Sequence, residues 1–126
     1  MIEVKSNDKE SELKDYCQQW LGFLASGDFE AANRLVDSKN CYGLSWGEKE
    51  IAEVILDYYG EPTEIEIHNY DITECEPNYL VRNDRGLLYD FNLPINGELT
   101  DLTVQFEFNP KSKDLFEVVI HDIHVL

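Results

Sequence analysis

His121-Asp122-Ile123-His124 is the one local run in this sequence that gathers metal-ligand side chains. On a strand, alternation puts Asp122 and His124 on one face and His121 on the other, so too few ligands converge for a zinc site. A carboxylate or imidazole buried beside a tyrosine could instead run general acid–base chemistry, its pKa raised by desolvation. Tyr16, Asp90, His121 and Asp122 have the right types for it. Yet Tyr16 falls within a helical apolar stripe, and Asp90 lies between Tyr89 and Phe91, where the pleat points it away from both. Packing and solvation are the simpler roles. The chain has no glycine-rich phosphate loop, no GxSxG elbow and no cysteine beside a recognisable base. No catalytic residue, metal or cofactor is expected.

A different chemistry is concentrated between Lys49 and Arg82. That window contains no Lys or Arg but carries Glu50, Glu53, Asp57, Glu61, Glu64, Glu66, Asp71, Glu74 and Glu76. Such a field repels itself and attracts basic surfaces, so the expected site is a docking face for a positively charged protein. If 64–70 is a strand, Glu64, Glu66, His68 and Tyr70 share one face. A tyrosine beside carboxylates suits Lys and Arg, through hydrogen bonds and cation–π contact. The whole chain agrees in sign, with 26 Asp and Glu against 10 Lys and Arg and a net charge of -16 in 126 residues. Nucleic acid and anionic membrane surfaces are excluded as partners by that balance.

The elements that must position these groups fall into a helical half and a sheet half. Leu13, Tyr16, Cys17, Trp20, Leu21 and Leu24 recur at helical spacing and predict a helix from about Asp8 to Ser26, ended by Gly27. Asp28 then caps a second helix from Phe29 to about Val36. Ser45-Trp46-Gly47-Glu48 reads as a capping box opening a third, with Ile51, Val54, Ile55, Tyr58 and Tyr59 inward and Gly60 as its stop. Between them, Cys41 and Tyr42 are expected to plug the core from a loop. After Pro62 the period changes to two. Strands are predicted around Ile65 and Ile67, at Leu87–Leu93, at Leu102–Phe108 and at Leu115–Val125. Asn83-Asp84-Arg85-Gly86, Asn96-Gly97 and Asn109-Pro110-Lys111-Ser112-Lys113 are short turns that fit an antiparallel meander. The fold class is α+β, with three N-terminal helices on a curved antiparallel sheet.

The chain is read as a single domain over 1–126, with a flexible lead-in at 1–10. A hydrophobic fraction of 43% with two Trp, seven Tyr and six Phe suffices for a packed core rather than a disordered acidic chain. No stretch nears the roughly 20 apolar residues that span a bilayer, and the polar N-terminus does not resemble a secretory leader. Three cysteines, Cys17, Cys41 and Cys75, show neither CxxC nor zinc-ligand spacing. Reduced thiols in a cytoplasmic protein are expected.

The order of elements resembles the NTF2-like, or cystatin-like, cone fold, and Ala25-Ser26-Gly27-Asp28-Phe29-Glu30-Ala31-Ala32 is similar to the helix–corner–helix entry of that superfamily. The superfamily includes small enzymes, subunit-docking domains and immunity proteins of bacterial polymorphic toxin and contact-dependent growth inhibition systems. Fold alone does not choose among these. Acidity implies, through the resemblance, an immunity protein that blocks a basic toxin domain, with a nuclease as the expected toxin. The alternatives are an isomerase, hydrolase or ligand binder using the cone interior, and a subunit-docking domain. Face-to-face homodimerisation of the open sheet is a further expectation of the resemblance.

Overall fold

The computed structural model describes residues 1–5, 8–40, 42–62, 64–72, the backbone of 79–83, and 86–125. Among these, the order is β1 (Ile2–Glu3), α1 (Lys9–Ala25), α2 (Phe29–Arg34), α3 (Glu48–Tyr59), β2 (Tyr79–Asn83), β3 (Gly86–Ile95), β4 (Glu98–Pro110) and β5 (Leu115–Val125). The sheet runs β1-β5-β4-β3-β2, every pairing antiparallel, and its longer strands curl into a half-barrel. The predicted α+β class is the observed one.

Local chemistry accounts for the helical corner. The Ser11 amide donates to Asp8 Oδ1, fixing the start of α1. Gly27, at φ +81°, takes the left-handed position that closes the helix, and the Asp28 amide reaches back to the Phe23 carbonyl. Asp28 Oδ1 then accepts from the Ala31 amide and starts α2. Leu13, Cys17, Trp20, Leu21 and Leu24 form the buried stripe.

The third helix departs from the expected capping box. Its N-cap is Gly47, with no side-chain cap, rather than Ser45. Trp46 is buried and holds this stretch against the core, leaving Ser45 two positions ahead of the cap. Gly60, at φ +77°, ends the helix as predicted. Tyr42 also differs: it is 77% exposed instead of plugging the core. The buried Asn40 turns its loop outward, its Oδ1 accepting from the Tyr42 and Leu44 amides while its Nδ2 donates to the His121 carbonyl. Cys41 and Cys75 lie outside the described residues.

The predicted strand at 64–70 is not formed. Only Ile67 makes a bridge, to Ile95. On the Glu64 side the reason is the neighbouring hairpin: β3 ends at Ile95 and the chain turns at Asn96-Gly97, so no strand stands opposite, while on the other side one bond, from the His68 amide to the Pro94 carbonyl, completes the bridge. Asn96 supplies the missing partners itself. Its Oδ1 accepts from the Glu66 amide, its Nδ2 donates to the Glu64 carbonyl, and its amide donates to the Glu66 carbonyl. The segment is therefore anchored mainly to a turn, with a single bridge to β3.

Alternation in the sheet matches the prediction: Leu87, Tyr89, Phe91 and Leu93 are buried while Leu88, Asp90 and Asn92 are half-buried on the opposite face. Trp20 meets Phe106 edge-on at 5.3 Å and Phe91 at 6.2 Å, and Phe106 stacks between Phe91 and Phe108. Leu102, Val104 and Phe106 are covered, at 2% exposure or less. Each such buried large side chain contributes about 1.5–3 kcal/mol. The chain's start is also tied down: Ile2 pairs with Phe116, Val4 is buried, and the N-terminal amine contacts Asp37.

Candidate protein-docking site

The described residues of the acidic window border more than one recess. Glu53 and Asp57 are exposed on α3, and Glu61 is exposed just beyond its end. Glu50 turns to a separate recess that it shares with Asp37, Lys39 and Trp46. Tyr70 and Asp71 border another, beside Asp15 and Gln18 of α1. His68 does not join a row with Glu64, Glu66 and Tyr70, because its Nδ1 accepts from the Gly97 amide and is spent on the hairpin turn. Glu74 and Glu76 lie outside the described residues.

What the fold does bring together is Glu66 and Glu48. These two border an open cleft of about 310 Å³ between α3, the end of α1 and the extended 65–67 segment. Leu24, Ile51, Ile55 and Ile67 line it, and all four are nearly fully buried, while Ile65 at its edge is 37% exposed. One wall is α3, where Glu48, Ile51 and Ile55 share a face at positions i, i+3 and i+7. The other is the segment that Asn96 holds in place. Neither carboxylate is engaged in an ion pair or hydrogen bond among the described residues. An apolar floor between free acids suits a side chain or segment that is both apolar and cationic.

Glu48 is the residue that sequence reasoning missed, having been assigned to the capping box. Its helical phase with Ile51 and Ile55 was the available signal. Apolar residues at a cleft and acids at its border resemble the core and rim of a protein interface.

The sheet face away from the helices holds a second polar group that strand alternation misplaced. Gln105 pairs with Asp122 but Phe106 pairs with Ile120, so His121 is the extra residue of a bulge. The bulge turns His121 to the same face as Asp122 and His124. Its Nδ1 lies 2.7 Å from Glu107 Oε1. His124 Nδ1 lies 2.7 Å from Asp122 Oδ2, close but not aligned as a hydrogen bond. Asp90 accepts from Gln105 Nε2 at 3.3 Å. Burial raises the Asp90 carboxyl above its ordinary range, while the Gln105 contact and the two nearby histidines pull it back. Among the described residues no group of three or more His, Cys, Asp or Glu is placed to hold a metal. Tyr16, the remaining acid–base candidate, donates its hydroxyl to the Leu35 carbonyl at 2.6 Å and joins α1 to the end of α2.

Among the described residues no helix is long and apolar enough to cross a membrane. The profile of one protein family, described as a domain of unknown function (DUF7668), matches residues 21–126. No curated protein and no solved structure matches the chain.

Proposed function

The chain belongs to the DUF7668 family, and we propose that it is a stoichiometric binding protein that captures a basic protein domain at the cleft between α3 and the 64–67 segment. The observation that carries this reading is the pairing of Glu48 and Glu66 across an apolar floor, within a region rich in further exposed acids. Steering by such a field raises association towards about 10⁸ M⁻¹s⁻¹ at low salt, and a buried apolar anchor then slows release. Speed and retention come from different side chains.

In the finer form of the proposal the chain is a cone-fold, NTF2-like immunity protein. It acts in the cytoplasm on a cognate toxin domain, a basic nuclease, and covers that enzyme's active site or its path to nucleic acid. The curled antiparallel sheet wrapped on α1 supports the comparison with the cone fold. Catalysis inside the cone is less well supported: Trp20, Tyr89, Phe91, Phe106 and Phe108 pack into the concave side of the sheet and are buried. Tyr16 and Asp90 already have structural partners.

The test is growth rescue. The chain is co-expressed with the C-terminal domain encoded immediately upstream in its source genome, and survival and co-purification are scored. Survival with a stable complex is the expected result. A harmless upstream product, or a toxic one that neither binds nor is neutralised, would overturn the toxin assignment.

A further inference from the structure

We infer that the cleft receives a single cationic side chain, Arg or Lys, from the partner, with its methylene stem on the apolar floor and its charged head between Glu48 and Glu66. This rests on the docking reading above and deepens it. Size limits the occupant first. At about 310 Å³ the cleft stands at the lower end of small-molecule pockets, enough for one or two side chains.

Chemistry limits it further. Leu24, Ile51, Ile55 and Ile67 offer the inserted group only carbon contacts, so its stem must be apolar. A wholly apolar side chain would, however, strip water from two carboxylates and give nothing back, which is unfavourable for ionised groups. An anion would be repelled by both. A long cation satisfies both requirements, because Arg and Lys bury their stems while keeping the head at a polar border. The opposing term is the amino end of α3, where Glu48 is the first residue. Its partial charge of about +0.5 is outweighed by two full carboxylate charges on separate walls.

The placement on separate walls matters because one carboxylate comes from a helix and the other from a segment fixed by Asn96. The backbone positions that carry the two carboxylates are therefore set by the fold before any partner arrives. Such preorganisation lowers the ordering cost of capture. It also predicts selectivity for charge at constant shape.

The deciding experiment titrates isotope-labelled protein with N-acetyl-arginine methylamide, and separately with the uncharged isosteres made from citrulline and norleucine. Saturable NMR shifts should concentrate on the Ile51, Ile55, Ile65 and Ile67 methyls. Arginine should bind about tenfold or more tightly than citrulline, beyond the roughly fivefold upper end of a single exposed ion pair. The E48Q/E66Q double variant, or 1 M salt with its screening length of about 3 Å, should reduce arginine to the citrulline level. Ala52→Trp, which fills the cleft from α3, should abolish the shifts. Equal binding of citrulline, unchanged binding by E48Q/E66Q, or no saturable shift at these methyls would overturn the inference. Growth rescue without arginine selectivity removes this pocket assignment and keeps the capture reading. Arginine selectivity without rescue keeps the pocket assignment and removes the toxin assignment.

Discussion

Gln18 Oε1 accepts a 2.9 Å hydrogen bond from the Ile72 amide, joining the middle of α1 to the end of the acidic segment. The same side chain donates through Nε2 to Asn69 Oδ1 and to the Tyr70 carbonyl. One amide therefore holds three positions around Asp71, while Ile72 itself is fully buried. Together with Asn96 at the other end, it fixes a segment that has almost no ladder of its own.

Replacing Gln18 with Met keeps the length of the side chain but leaves these backbone groups without partners. The expected cost is about 1–3 kcal/mol, the penalty for unpaired polar groups. Urea unfolding measures it, and amide exchange at Ile72 should accelerate locally. Unchanged protection there would show that the clamp is dispensable.

Glu53 and Asp57 are like charges one helical turn apart on the exposed face of α3, whose last turn holds no basic residue. Asp57→Lys converts repulsion into an i, i+4 pair and complements the helix dipole, stabilising the fold by about 0.5–1.5 kcal/mol. Association with a basic partner should slow severalfold, most clearly at low salt. A stopped-flow series against salt, paired with thermal unfolding, reads both effects. Faster or unchanged association would move the interface away from α3.

Tyr16 has its hydroxyl pushed up to about 12, first by burial and then by Asp37 and Cys17. For an acid that loses its proton less readily when folded, the sign is fixed. Stability is level below the ordinary tyrosine value of 10.0 and falls as pH rises from there through about 12. Tyr16→Phe should cost about 1 kcal/mol at neutral pH by orphaning the Leu35 carbonyl, and should flatten the alkaline decline. Ultraviolet titration of the phenol, alongside melts across that range, checks both.

Gly86 and Gly97 both have positive φ, at +142° and +82°, but they differ in surroundings. A Cβ at Gly86 would fall 2.1 Å from the Phe108 carbonyl oxygen, whereas nothing lies within 4 Å of one at Gly97. Gly86→Ala should cost about 3 kcal/mol or more by forcing β3 from β4, and Gly97→Ala only about 1–2 kcal/mol of left-handed strain. Parallel denaturation of the two variants measures the contrast. Equal losses would mean that backbone conformation alone governs both positions.

Much of the fold could be read along the chain because its causes are local. The Gly27-Asp28 corner, the stop at Gly60 and the alternation from Leu87 to Phe91 depend on neighbours within a turn or two. The strand assigned at 64–70 had the same local signature. Its Glu64 side failed because the potential partner stops at Ile95, a fact about a residue 28 positions from Ile67. The bulge was partly legible: Ile120 and Ile123 are both apolar, yet three apart on a strand whose period is two. Both are buried only because His121 is the extra residue between them.

For the candidate site, sequence by itself determined the sign of the net charge and the apolar face of α3. These are properties of composition and helical phase. Which acids would meet across a cleft was decided by tertiary structure. Glu48 and Glu66 are brought together by the packing of α3 and by the Asn96 clamp, while Glu50, two residues from Glu48, faces another recess. Periodicity fixes the direction of a side chain on its own element; only packing fixes what stands opposite.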